Sequence, residues 1–493
     1  MTHISRRMNL VRKYKSIQKK LIPMKDKIGY GSGNFSTGVI NQVVGTYLVF
    51  YCTAILGIPG SLIGTALSLS IIWDAITDPF MGYFSDITKS KRFGRRHQYI
   101  LIGSIGMALA NFFLWNIDPD IPMGYKFASI VALILLIKTF STVYVTPYTA
   151  LGAELSKDYD ERTEIQSVKT VFFLLGLAFV SVFGMYVFFK PSPQFPSGQL
   201  NPISYKAMGG ISSLIIIAFA MFCYFTTKKY IPVLKENIQT DSLKLSIKEL
   251  FVEFRRIFLN ADFRAVSFSY MFNNIASALI ANMGLHVFTY TFFLTSQQIA
   301  IVVGVQFAVS IFAQPVWYKI SEKFDKKPSM MFGILISIAS CLLFAFLVSI
   351  REEARGSALY FIPFAMLAGF GTSGLYTIPL SMMADVIDLD ELNTGKRSEG
   401  SYYGFLTMFY KLSQSITLFA IGWILDLVRF DPDLDFQLES TVVIIGLVIG
   451  VGSAISFVAS LISIKGYGLD KSTVKEIQKA AAIGGGRSDI RKS

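Results

Sequence analysis

Asp74 and Asp78 stand four residues apart in the stretch Ile71-Ile72-Trp73-Asp74-Ala75-Ile76-Thr77-Asp78-Pro79-Phe80-Met81-Gly82-Tyr83. On a helix that spacing puts both carboxylates on one face, about 5–6 Å apart. The stretch lies in an apolar run from about Leu62 to Phe84, long enough to cross a bilayer. Two carboxylates at membrane depth repel each other and are costly to desolvate. They need positive charge: a metal cation such as Na+ held by Asp74 and Asp78, a proton, or a lysine from a neighbouring helix. The chemistry expected of them is reversible cation binding. The blander alternative is a structural salt bridge between helices. Pro79 removes one backbone donor beside Asp78 and loosens the helix, which could free carbonyls for an ion.

Lys138 lies deep in another apolar run and shares a helix face with Thr142. It could pair with Asp74 or Asp78 and fill part of a sodium site, which favours proton coupling or a charge-relay lysine. Its alternative is a lysine snorkelling to the outer leaflet. Asn34, Asn41, Gln42, Thr46 and Tyr47 on the first apolar run, and Asn273, Asn274, Asn282 and His286 on the seventh, are candidate partners for sugar hydroxyls. Each taken alone is more often an interhelical hydrogen bond. His286 has no metal partner at helical spacing. Trp115 is expected in the headgroup belt. No G-x-x-x-x-G-K-[ST] loop, nucleophile–base pair or metal cluster stands out. ATP as energy source, an enzyme, and any cofactor beyond the coupling Na+ or H+ are therefore not expected.

The elements that must position these groups are membrane helices. The chain is 52% hydrophobic and 14% aromatic, with only 16% of residues charged, and its mean hydropathy is +0.50. That balance excludes an ordinary soluble domain and fits a polytopic helical membrane protein. Cys52, Cys223 and Cys341 all fall in apolar runs, without metal-ligand spacing or a disulfide framework. Apolar runs fall at 34–56, 62–84, 98–116, 126–151, 168–189, 208–227, 265–290, 297–320, 329–350, 357–383, 401–429 and 440–464. Each is near the ~20 residues that a crossing needs.

The net charge of +13 sits in loops and ends, so it reports topology before nucleic-acid binding, and no nucleic-acid partner is expected. Basic loops at 85–97, 228–262 and 321–328 alternate with loops poor in basic residues at 57–61, 117–125 and 430–439. The positive-inside rule then places both termini in the cytoplasm of a multi-pass plasma-membrane protein. The expected organisation is a cytoplasmic basic arm at 1–29, which could lie on anionic lipid, a six-helix half at 30–227, a central cytoplasmic loop at 228–262, a second half at 263–464 and a cytoplasmic tail at 465–493.

The halves look like a repeat. Asp78-Pro79 matches Gln314-Pro315, and Thr146-Pro147 through Glu154 is echoed by Ile378-Pro379 through Asp385. At the repeat positions of Asp74 and Asp78 the second half has Ser310 and Gln314, so a cation site would belong to the first half only. An all-α major facilitator fold of twelve helices, with its substrate site between the halves, follows. Charged clusters one per half, Arg162 and Arg397 with Glu154, Glu161, Asp385 and Glu399, together with Arg95 and Arg96 in the basic loop, are candidate gates on the cytoplasmic side. Plain positive-inside charge is the alternative.

Trp73-Asp74-Ala75-Ile76-Thr77-Asp78-Pro79, Gly94-Arg95-Arg96, Ala150-Leu151-Gly152-Ala153-Glu154-Leu155 with Asp158-Tyr159-Asp160-Glu161-Arg162-Thr163, and Thr394-Gly395-Lys396-Arg397-Ser398-Glu399-Gly400 occur in that order. In these motifs the chain resembles the glycoside–pentoside–hexuronide:cation symporters, from Gly31 to about the twelfth span. The resemblance implies a symporter of a sugar or glycoside with Na+ or H+. It implies that Asp74 and Asp78 are the coupling-cation carboxylates, with Thr77 beside them and Thr142 completing the site. It places Lys411 between cation and sugar sites, with Thr407 one turn before. Tyr376 stands where the family has a sugar-site tryptophan, and Lys169 where members carry a sugar-binding arginine.

The departures are Gly38 and Val145 in place of two acidic sugar anchors, and Thr149 in place of a tryptophan. With those acids missing, Lys138, Lys169 and Lys411 could face one cavity that favours an anionic substrate such as a hexuronide. A lysolipid carrier, since lysolipid symporters look similar around Asp74 and Asp78, and a non-transporting membrane sensor are the other classes. The expected partners are a small-molecule substrate and the lipid bilayer, and the expected functional unit is a monomer.

Overall fold

The computed structural model describes residues 22–88, 90, 92–156, 159–236, 247–395, 398–432, 434 and 436–482, which form helices joined by turns and loops, with no strand among them. The first half consists of α1 (Met24–Ile55), α2 (Gly60–Ile87), α3 (His97–Leu114), α4 (Met123–Leu155), α5 (Tyr159–Ala178, running on through a π turn to Val187) and α6 (Pro202–Thr227). The second half consists of α7 (Ala261–His286), α8 (Ser296–Phe324), α9 (Lys326–Ser349), α10 (Ile362–Thr394), α11 (Glu399–Leu427) and α12 (Glu439–Ile464).

Eleven of these, all but α7, are long and apolar enough to cross a membrane. The 26 residues of α7 reach about 39 Å, which is ample. It is less apolar because it carries Asn273, Asn274, Asn282 and His286, all buried among its neighbours. The outer surface is dressed with exposed Leu, Phe and Ile side chains, as a surface facing acyl chains requires.

Packing repeats between the halves. In the first, α1 packs on α5 and α6, α3 on α4 and α6, and α2 on α4; in the second, α7 packs on α11 and α12, α9 on α10 and α12, and α8 on α10. The halves meet mainly where α2 runs along α11, with lesser contacts between α1 and α7 and between α5 and α8. The α2–α11 seam is a backbone approach. A Cβ on Gly64 would lie 2.5 Å from the Leu418 carbonyl oxygen, and one on Gly422 would lie 2.2 Å from that of Gly60. Small residues at such a crossing let helices close in a membrane.

That seam lies at the end of the bundle away from the termini, called here the far end. There Asp426 accepts from the Gly60 and Ser61 amides at 2.7 and 2.9 Å, capping α2 from the opposite half. Gln199 donates to Thr289 and to the Leu294 carbonyl, both at 3.0 Å. Thr53 meets His286 at 2.8 Å, and Ser68 meets Ser415 at 2.6 Å. Toward the terminal end, the ionic clusters among the described residues each stay within one half.

Several boundaries differ from those expected. α1 begins at Met24, inside the expected arm. Asp26 and Lys27 are buried there because Lys229 and Tyr230 bond the first and Glu161 and Glu164 pair with the second. The central loop holds the helix Ile247–Phe258, and the tail holds the helix Lys471–Ala482. Trp115 is not in a headgroup belt: it is fully buried against Tyr51 and Tyr205 and donates to Asn111 at 2.9 Å. Residues 1–21 of the arm lie outside the described residues.

Candidate functional site

The site forms where α2, α4 and α11 meet about halfway through the bundle. α2 presents Asp74 and Asp78 one turn apart, and α4 presents Lys138 and Thr142 with the same spacing, so two i,i+4 faces meet. Lys138 Nζ donates to Asp74 Oδ2 at 2.9 Å. Thr142 Oγ1 donates to Asp78 Oδ1 at 2.7 Å. From the opposite half, Lys411 Nζ reaches Asp78 Oδ2 at 2.5 Å. The remaining carboxylate oxygen, Asp74 Oδ1, is buried and has no partner. Asp78 is 40% exposed against 16% for Asp74, so the site opens on the Asp78 side, toward the terminal end.

Other expected members are placed elsewhere. The Thr77 hydroxyl turns back onto its own helix, to the Trp73 and Asp74 carbonyls, because a threonine within a helix bonds the preceding turn. Thr407 likewise donates to the Tyr403 carbonyl and is exposed. Asn41 is exposed on α1. Tyr47 is not a cavity residue: it is fully buried, stacks on Phe189 and donates to the Val180 carbonyl, so it fastens α1 to the π turn of α5. At Gly38 a Cβ would lie 2.3 Å from the Phe173 carbonyl oxygen, where α1 and α5 touch at Gly38 and Gly176. That position has no room for a substrate-binding side chain.

Lys169 on α5 donates to Thr149 at 3.0 Å and lies 5.4 Å from the Tyr148 ring centroid. Among the described residues it has no carboxylate partner. The three lysines therefore do not form one unpaired set. Lys138 and Lys411 are each held by an aspartate, and Lys169 alone is left for an anion.

On the second-half wall Tyr376 is half-exposed. Tyr410, beside Lys411, lies with its ring 6.4 Å from that of Tyr270 on α7, and Tyr376 stands near both. Tyr270 and Tyr410 escaped the sequence. The adjacency of Tyr410 to Lys411 was the one signal, and nothing local marked Tyr270.

At the terminal end each half has an acid held by basic residues of its own half. Glu154 Oε1 accepts from Arg95 at 2.7 Å and from Arg96 at 2.7 and 3.0 Å, and Arg96 also reaches Ser85. In the second half Asp385 accepts from Lys326 at 2.6 and 2.7 Å and from Tyr467 at 3.2 Å. Burial, then the neighbouring Asp385 carboxylate, pushes the Tyr467 phenol up, so it stays a donor. Glu161 answers Lys27 and Ser156. Arg397 and the side chains of Arg162 and Glu399 lie outside the described residues.

The comparisons with known proteins agree with this architecture. The family model for MFS/sugar transport proteins matches residues 29–471. The inner membrane symporter YicJ of Escherichia coli K12 is 26% identical, with 95% of this chain and 97% of that protein covered. A protein of the same organism named as a candidate 2,3-dihydroxypropane-1-sulfonate exporter is 24% identical, with 84% and 86% covered. The crystal structure of the nucleoside transporter NupG superimposes with a TM-score of 0.60 at 15% identity, covering 89% of this chain and 99% of its own, a likeness of fold alone. This chain is a multi-pass membrane transporter of the major facilitator type and belongs to the MFS/sugar transport protein family.

Proposed function

We propose that this chain is a secondary symporter that carries a sugar or glycoside, preferably an acidic one such as a hexuronide, with a coupling cation, Na+ or H+, by alternating access. The observation that carries it is the Asp78–Lys411 pair, one partner in each half. A transition that opens the far end draws α2 away from α11 there and loads this pair, the ionic link between the halves at mid-bundle. Stripping a fully buried charge of its partner costs about 3–5 kcal/mol, and less here because Asp78 is 40% exposed and screened by solvent. Positive charge delivered to the Asp74–Asp78 face competes with Lys411 for Asp78 and lowers that cost. A freed Lys411 then faces a substrate, which ties solute binding to cation binding. By thermodynamic reciprocity each ligand raises the affinity for the other.

The basic loops put both termini in the cytoplasm of the plasma membrane, so the state described, closed at its far end, faces inward. The preference for an anion rests on Lys169, which has no carboxylate of its own, and is supported by the sulfonate in the name of one relative. The tyrosines of α7, α10 and α11 supply apolar ring faces with hydroxyls, as sugar sites need.

Counterflow in proteoliposomes with neutral sugars, hexuronides and lysolipids tests this. Exchange of hexuronides is expected, with an affinity loss of about tenfold or more in Lys169→Ala from the missing charge pair. Equal exchange of neutral and acidic sugars would remove the anion preference. Exchange of lysolipids alone would make the chain an amphipath carrier, and no exchange of any solute would make it a sensor.

A further inference from the structure

Two aspartates and two lysines share this site, and their formal charges cancel. We infer that Lys138 is a tethered cation seated beside Asp74, that sodium therefore has no place at this site, and that Lys138 sets the ion selectivity of the carrier. The inference deepens the symport proposal and rests on it.

Three of the four carboxylate oxygens already accept a donor, two of them from ammonium groups that a cation would have to approach. Asp74 Oδ2 receives Lys138 at 2.9 Å, Asp78 Oδ1 receives Thr142 at 2.7 Å, and Asp78 Oδ2 receives Lys411. Of the four oxygens of Asp74 and Asp78, Asp74 Oδ1 alone has no hydrogen-bond partner among the described residues. A hard cation requires several oxygens in one shell. The hydroxyl best placed to add one, Thr142, already donates to Asp78 Oδ1, and the others are turned elsewhere. Thr77 bonds its own helix, and Thr139 donates to the Leu135 carbonyl while accepting from Trp73 Nε1.

The charge balance argues the same way. Adding a sodium ion to this neutral cluster seats a further positive charge beside two ammonium groups without the oxygen shell that would hold it, whereas a proton needs no such shell and, on Asp78, frees Lys411 for an anionic substrate. Removing the Lys138 charge leaves a sum of minus one and returns both oxygens of Asp74. Under that condition a cation is drawn in. Lys138 is no outer-leaflet anchor. It lies about 22 Å along a helix that starts at Met123, near the middle of the membrane, and its ammonium points at a carboxylate.

The test compares sodium chloride with choline chloride at one pH and one ionic strength. Two readouts are used: the melting temperature of the purified full-length chain in detergent, and solute accumulation in proteoliposomes. The wild type and Lys138→Arg are expected to respond to sodium in neither. Lys138→Ala and Lys138→Gln are expected to be stabilised by sodium and to take up solute about tenfold faster with it, the size of an ordinary coupling between two ligands. Sodium stabilisation of the wild type overturns the inference, and so do folded Lys138→Ala and Lys138→Gln variants blind to sodium.

If neither variant folds, equilibrium binding of radioactive sodium to the wild type decides. Saturable binding overturns the inference, and none supports it. Failure of the symport proposal looks different: the wild type then accumulates no solute against a gradient with any cation. Uphill accumulation that requires sodium leaves that proposal standing and removes only the role of Lys138.

Discussion

The α2–α4 contact and the α8–α10 contact are one design carried out in two chemistries. In the first half Asp78 takes a hydroxyl from α4, and its second oxygen reaches out of the half to Lys411. At the repeat position Gln314 donates to the Ser373 carbonyl at 3.1 Å and accepts from Thr377 at 3.0 Å, so both ends of its amide stay on α10. A neutral amide satisfied within one half ties two helices together and has no reason to let go. A carboxylate shared between halves has a choice of partners. Under the proposed symport, the switch sits on one side of the pseudo-symmetric bundle and the brace on the other.

Breaking that contrast gives the largest expected effect. Asp78→Asn removes the shared charge, and uphill uptake should fall by about two orders of magnitude, or roughly 3 kcal/mol, the lower end of the cost of stranding a buried charge. Protein that still accumulates solute against a gradient would refute the switch.

An intermediate effect is expected where the halves are alike. Glu154, held by Arg95 and Arg96, and Asp385, held by Lys326 and Tyr467, close equivalent ends of α4 and α10. Glu154→Gln and Asp385→Asn should each lower unfolding stability by about 2–3 kcal/mol, somewhat below the fully buried case because both clusters are partly exposed. A large difference between the two, read as denaturation midpoints, would mean that the clusters are not equivalent.

The smallest effect belongs to the brace. Gln314→Leu should cost about 1–2 kcal/mol of stability through two lost hydrogen bonds, with the coupling ratio of cation to solute unchanged. A changed ratio would make Gln314 part of the switch.

The legible and illegible parts of this molecule divide by range. Helix positions were legible because bilayer thickness sets the length of an apolar run. The shared face of Asp74 and Asp78, and that of Lys138 and Thr142, followed from a local period. Lys411 came by resemblance. Tyr47 looked like a site residue because a tyrosine beside Asn41, Gln42 and Thr46 reads as a polar face. The π turn at Val43–Tyr47 shifts the helical phase there and sends the ring into the core. That Glu154 answers Arg95 and Arg96, and Asp385 answers Lys326, was not legible as pairs, because these basic residues lie in the loop before α3 and at the start of α9, whose reach no periodicity describes.

What the sequence alone determined is what a single helix determines: which stretches cross, which charges share a face, and that a lysine lies at membrane depth. Only the tertiary structure decided that Lys138 answers Asp74 while Lys411 crosses from the other half to Asp78. It also decided that Gly38 is a backbone contact with no space for a ligand group. The reason is physical. Rise and twist per residue belong to the helix itself, whereas its rotation and tilt against neighbours come from side-chain packing summed over the whole bundle.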